Sequence, residues 1–288
     1  VDDSVIGETA RNCEPCFEHV FVGMGKTTKN NEDFERKLFI IRRIIENKIK
    51  EMNIKDGEKF YITNLSCRTL IYKGLMLPEQ IEKFFPDLKD ESIKTAICVV
   101  HSRYSTNTFP AWNLAQPFRM LAHNGEINTI RGNINWMKSR EALFENDAFG
   151  PDVENLKPVI RDENQSDSAS LDNVFEILNK GGRSLEHSML MLIPEAWEHN
   201  KLLSNSVRSF YKYHSCIMEP WDGPAAIAFT DGIRVGAVLD RNGLRPARYI
   251  VTKDDYVVMS SEAGVIDIPS ENIRFSGRLE PGRMLSID

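Results

Sequence analysis

Between residues 31 and 52, apolar side chains return at three- and four-residue steps, at Phe34, Leu38, Ile41, Ile45, Ile49 and Met52. That spacing predicts an amphipathic helix with this stripe against the core and lysines and arginines on the other face. Residues 59–65 and 68–73 are β-rich runs around a short polar turn, the pattern of a hairpin. Residues 78–85 read as a short helix, because Pro78 suits a first turn. Residues 95–100 have the apolar character of a buried strand whose end delivers His101 and Arg103. Helical spacing then dominates residues 127–144, 168–179, 185–193 and 202–214, with Gly181-Gly182 as a stop signal. After Pro220 the texture changes to short β-runs at 225–230, 234–239, 247–252 and 256–260, divided by Asp231-Gly232, Asn242-Gly243 and Asp254-Asp255 turns. Such a series predicts an antiparallel meander. The whole order fits packed helical and sheet layers, an α+β arrangement, better than a parallel doubly wound sheet. No repeat, low-complexity tract or linker divides the chain, so one domain over residues 1–288 is expected.

Composition narrows the function classes. With 41% hydrophobic and 27% charged residues, 288 residues can bury a full core. A formal charge of -6, with basic residues scattered rather than striped, argues against a nucleic-acid surface. No run approaches the roughly 18 apolar residues of a membrane span, and the start does not read as a signal peptide. Five cysteines, an odd count without regular spacing, point to a reducing compartment such as cytoplasm or plastid more than to a disulfide scaffold. Cys13-Glu14-Pro15-Cys16 is a lone CxxC, lacking the second pair that zinc wants and the strand-then-helix setting of a redox pair. Two unlinked cysteines in an extended segment are expected there, and no metal site, P-loop or GxGxxG is read.

The chemistry-bearing residues concentrate in three segments: His101 to Thr108 (His-Ser-Arg-Tyr-Ser-Thr-Asn-Thr), Ala122 to Glu126 (Ala-His-Asn-Gly-Glu) and Gln165 to Ser168 (Gln-Ser-Asp-Ser). An arginine, hydroxyls, carboxamides and a glycine turn suit a site that grips a small zwitterion and stabilises an oxyanion. Arg103 presents a planar fork that matches a carboxylate at two points, although an arginine after a strand is as often structural. Glycine at 125 lets backbone approach a substrate closely, and prealigned donors favour a tetrahedral centre over a planar amide. Taken alone, Asn-Gly is more often a plain turn. Ser166-Asp167-Ser168 before a helical pattern is a good N-cap cluster, so either serine can cap while Asp167 faces a pocket. His101 and His123 each follow an apolar run and read as hydrogen-bonded supporting residues, not as a catalytic base.

These segments, together with Phe34-Glu35-Arg36, Tyr72-Lys73-Gly74-Leu75-Met76, Arg131-Gly132-Asn133, Pro194-Glu195-Ala196-Trp197, the run from Glu219 to Pro224 and the run from Leu239 to Pro246, resemble the glutaminase domain of the glutamate synthase family. That domain is a class II glutamine amidotransferase of the N-terminal-nucleophile hydrolase superfamily. The resemblance spans nearly the whole chain and implies a four-layer α-β-β-α sandwich, here without its first strands. It implies hydrolysis of glutamine to glutamate and ammonia, the ammonia passing to a synthase domain of the same polypeptide that aminates 2-oxoglutarate.

By that resemblance Arg103 holds the α-carboxylate of glutamine, Asp167 receives its α-ammonium, and the Asn124 carboxamide with the Gly125 N–H forms the oxyanion hole. Thr106 and Asn107 line the same pocket. The family's nucleophile is an N-terminal cysteine whose own α-amino group is the base, whereas this chain begins Val1-Asp2-Asp3 and Cys13, Cys16, Cys67, Cys98 and Cys216 are internal. The expectation is therefore the larger, C-terminal part of the domain, inactive by itself. No cofactor is expected in this domain; FMN, an iron–sulfur cluster and an NAD(P)H-oxidising subunit or domain belong, by resemblance, to the rest of the enzyme. Arg241 and Arg245 read as salt-bridged packing. The rival readings are a non-catalytic glutamine-binding or regulatory module, and another class II amidotransferase of the phosphoribosyl-diphosphate or fructose-6-phosphate type.

Overall fold

A computed structural model describes residues 1–105 and 108–288. The helices among them are α1 (Glu8–Arg11), α2 (Asn31–Glu51), α3 (Pro78–Phe84), α4 (Ile130–Glu141), α5 (Asp167–Lys180), α6 (Leu185–Leu192) and α7 (Asn205–His214). The strands are β1 (Leu121–Gly125), β2 (Ala225–Thr230), β3 (Val235–Leu239), β4 (Arg248–Thr252), β5 (Val257–Ser260), β6 (Ile273–Arg278) and β7 (Met284–Ile287). They form two antiparallel sheets, ordered β1-β2-β3-β7 and β5-β4-β6. The fold is α+β, and the single meander read from the sequence divides in two. The β2–β3 hairpin stays in the first sheet, β4 and β5 open the second, and β7 returns to pair with β3. No helix among the described residues is long and apolar enough to cross a membrane.

Side-chain alternation along β2 explains how the layers stack. Ala225, Ile227 and Phe229 point to one face, where they join Val174, Phe175 and Met189 of α5 and α6 in the main core. The Phe175 and Phe229 rings meet edge to face at 5.6 Å, and both are fully buried. Each such side chain contributes about 1.5–3 kcal/mol. On the opposite face, Ala226, Ala237 and Leu239 pack with Ala247 and Leu279 from the second sheet's side.

Helix α2 starts where the Asn30 side chain accepts the Asp33 N–H at 2.9 Å, with Glu32 and Asp33 in the favourable first turn. Its buried face is not the apolar stripe. Phe34 and Leu38 are buried, but Ile41, Ile45 and Met52 are 41%, 37% and 65% exposed, while Arg42, Arg43 and Glu46 are buried. The reason is an ionic network centred on Glu46, which pairs with Arg42 at 3.3 Å, Arg43 at 3.5 Å, Arg119 at 3.3 Å and Arg161 at 3.0 Å. Arg42 also reaches Glu176 at 2.5 Å. Charges so paired can be taken out of water, and a count of apolar positions does not register them.

Among the described residues, the hairpin and the strand expected before residue 101 are absent. Residues 60–73 run without a ladder because side chains take up their backbone groups: Glu35 accepts the Cys67 N–H at 2.6 Å, Ser66 Oγ accepts the Arg68 N–H at 3.0 Å, and Arg119 donates to the Ile62 carbonyl at 2.6 Å. Residues 95–100 alternate half-buried Ile97 and Val99 with exposed Cys98 and Val100, yet none of the described strands pairs with them. Apolar alternation alone does not make a strand without a partner's backbone.

Lys73 is 8% exposed, and its Nζ donates to the carbonyls of Asn113 at 2.8 Å and Ala115 at 2.9 Å, beside the Phe118 ring. Burial, and then the charge of Arg119, pulls its pKa down from the ordinary 10.5 to about 7. Between these values the unfolded chain binds a proton that the folded chain releases, so Lys73 makes stability rise with pH, by at most about 1.4 kcal/mol per unit. Urea unfolding at several pH values between 7.5 and 9.5 should therefore show a shallower rise for Lys73→Met than for wild type. Parallel profiles would mean that Lys73 keeps an ordinary proton affinity.

Candidate active site

At the start of α5 the capping role falls to Ser166, whose Oγ accepts the Ala169 N–H at 3.1 Å, and Asp167 becomes the first helical residue. Asp167 is 3% exposed. Its Oδ1 accepts from the Ser168 N–H at 2.8 Å and from the hydroxyls of Ser168 and Ser105, each at 3.2 Å. Its Oδ2 accepts the Ile127 N–H at 2.7 Å. All these donors are neutral, and the helix N-terminus adds only partial positive charge. The carboxylate is thus held rigidly by neutral donors.

His123, 2% exposed, stands behind this carboxylate with its Nδ1 2.8 Å from Ser168 Oγ and 3.9 Å from Asp167 Oδ2. Burial chiefly lowers its proton affinity, Asp167 opposes, and the charges of His101 and Arg245 act with burial. A neutral ring is favoured. Its main chain is clamped by Gln116, whose Oε1 accepts the His123 N–H at 2.7 Å and whose Nε2 donates to the His123 carbonyl at 3.0 Å. Next along that edge, Asp172 accepts the Met120 and Leu121 N–H groups at 2.8 and 3.2 Å, and the Phe118 N–H donates to the Leu121 carbonyl at 2.8 Å.

The turn that follows His123 requires glycine. Gly125 has a φ of +156°, and a Cβ there would lie 1.8 Å from the Pro224 carbonyl oxygen and 2.9 Å from His123 Nε2. Gly223 answers it across the gap, where a Cβ would lie 1.9 Å from the Glu126 carbonyl oxygen. The two loops are clasped by the Glu126 N–H on the Pro224 carbonyl at 2.9 Å and the Asn128 N–H on the Asp222 carbonyl at 2.8 Å. Asn124 is exposed at the lip of this clasp.

Arg103 is exposed, and its N–H donates to His101 Nδ1 at 3.2 Å. Two residues on, Ser105 binds Asp167, and between them the Tyr104 hydroxyl donates to the Gly74 carbonyl. This anchors the Arg103 segment to the start of α5, and Ile127 anchors the Asn124–Gly125 turn to the same carboxylate. Thr106 and Asn107 lie outside the described residues. Two cavities of about 410 and 530 Å³, the first walled by Lys73, Arg119 and Arg161 and the second by Glu195, Trp197 and Arg241, contain none of Arg103, Asn124, Gly125 or Asp167. The convergent donors, not the volume of a hollow, mark the site. Ser105 lies inside the motif read from the sequence; Gln116 and Asp172, which hold β1 in place, have no local signal. Cys13 and Cys16 are free and exposed.

The chain belongs to the class-II glutamine amidotransferases, whose family pattern matches residues 1–288. It is 52% identical over 283 residues to the glutamate synthase [NADPH] large chain of Bacillus subtilis (strain 168), covering 98% of this chain and 18% of that one. With the glutamate synthase [NADPH] large chain of Azospirillum brasilense it shares 47% identity over 288 residues, 100% of this chain and 19% of the other. A chloroplastic ferredoxin-dependent glutamate synthase of Oryza sativa subsp. japonica is 45% identical over 99% of this chain and 18% of its own length. The chain therefore spans about a fifth of the length of the curated relatives it matches.

Proposed function

We propose that this chain is the glutamine-binding part of a glutamate synthase and holds L-glutamine for hydrolysis to glutamate and ammonia. The observation that carries this is Asp167, a buried carboxylate tethered by Ser105, Ser168 and Ile127, with no lysine or arginine partner among the described residues. The α-ammonium docks on Asp167 and the α-carboxylate lies across the Arg103 fork. This sets the side-chain amide against the Asn124–Gly125 turn, where the Asn124 carboxamide and the Gly125 N–H receive the oxygen as the carbon becomes tetrahedral. Attack is assigned to a cysteine whose own α-amino group is the base. Cys13, Cys16, Cys67, Cys98 and Cys216 do not fill that role, because each has its α-nitrogen in a peptide bond. Ammonia passes to a synthase domain of the same polypeptide, which by the resemblance holds FMN and an iron–sulfur cluster and draws electrons from NADH, NADPH or ferredoxin.

Ammonia release from L-glutamine by the full-length polypeptide tests the reading. Ser105→Ala should raise the KM for glutamine about tenfold with little change in kcat, the worth of one hydrogen bond to a charged group. A wild-type enzyme that makes glutamate from ammonia yet leaves glutamine intact would overturn it.

A further inference from the structure

The turn after β3 carries an arginine that packing does not explain. Arg241 does pair with Asp222, as the sequence suggests. Arg245 has no carboxylate partner among the described residues, and its buried Nε has no acceptor. The backbone beneath it is firmly held. Asp240, 3% exposed, accepts the N–H groups of Ala225 at 2.9 Å, Asn242 at 2.9 Å and Leu244 at 3.2 Å, and the Gly243 N–H closes the turn on the Asp240 carbonyl at 2.9 Å.

Sheet register fixes where this turn lies. Leu239 at the end of β3 pairs with Ala226, and Ala225 pairs with Gly125. The Arg245 turn therefore stands at the same end of the first sheet as Asn124–Gly125. Its guanidinium is within electrostatic reach of His123, whose proton affinity it helps to lower after burial and the charge of His101. The Arg245 side chain is half-buried and has no counter-charge among the described residues.

We infer that Arg245 is an electrostatic residue of the amide-hydrolysis step, stabilising from behind the Asn124–Gly125 turn the negative charge that gathers on the amide oxygen. This rests on the glutaminase reading. Arg103 meets a charge that glutamine already carries, whereas Arg245 answers one that exists only while the tetrahedral centre forms. No bond to it is made or broken. Acting through the field at the turn, it is a positioning residue whose effect falls on kcat and not on KM.

The experiment uses full-length Arg245→Gln and Arg245→Lys. The glutamine variant should lose about tenfold in kcat for glutamine hydrolysis, less than the hundredfold or more of a direct oxyanion donor, with KM changed by less than about twofold. Arg245→Lys should recover most of that loss, and ammonia-fed glutamate formation and melting temperature should be unchanged in both. A wild-type kcat in Arg245→Gln would overturn the inference, as would equal impairment of both variants, which would make Arg245 a packing residue. Failure of the glutaminase reading itself appears in the wild type, as intact glutamine, and takes this inference with it.

Discussion

Gly125→Ala should reduce glutamine-dependent turnover of the full-length polypeptide by about two to three orders of magnitude, the cost of losing one oxyanion donor. A methyl group cannot sit 1.8 Å from the Pro224 carbonyl oxygen, and the φ of +156° is strained for any L side chain. One loop of the clasp has to yield, breaking the 2.9 Å bond from the Glu126 N–H to Pro224 and turning the residue 125 N–H away from the substrate. Gly132→Ala is the matched control. Gly132 lies within α4, an added methyl there would meet nothing within 4 Å, and alanine is the better helix former by roughly 1 kcal/mol. That variant should keep full activity and melt no lower than wild type. Undiminished glutamine use by Gly125→Ala would show that the clasp relaxes freely and that its N–H is no oxyanion donor.

Arg103→Lys should lower the ratio of glutamine-dependent to ammonia-dependent glutamate formation by about a hundredfold. Lysine keeps the charge but loses the two-point grip on a carboxylate, and a displacement of about 1 Å at the reacting carbon costs about that much. Free ammonia bypasses the glutamine pocket, so its rate is the internal reference. Because Arg103 is exposed and makes no ion pair among the described residues, its replacement should leave thermal melting unchanged. An unchanged ratio would place the carboxylate clamp on another residue.

Helix boundaries in this chain are legible where a side chain writes them. Asn30, Ser166 and Ser184 each accept an N–H three residues on, and α2, α5 and α6 begin there. The strand β2 falls at residues 225–230 because alternation and flanking turns agree. Legibility fails where the partner lies far along the chain. Leu121 to Gly125 reads as a chemical motif, and becomes a strand only through Phe229 to Ala225 of β2. The rotation of α2 is hidden because its inward face is charged and its counter-ions come from α5 and two loops. In the site, Asp167, Asn124 and Gly125 stand out by residue type. The partners that fix them, Gln116 for His123 and Ser105 for Asp167, are found only in three dimensions.

The outward edge of β1 has a consequence for how this protein meets others of its kind. Leu121 and His123 have both their N–H and C=O groups occupied, by Asp172, Phe118 and Gln116. The Gln116 carboxamide stands in for the peptide group of a neighbouring strand. A stray extended chain therefore finds no open ladder along these residues, and aggregation by edge-to-edge strand addition is blocked at the very strand that ends in the Asn124–Gly125 turn. The same side chains that aim Asn124 and Gly125 also keep the molecule from templating its own misassembly there.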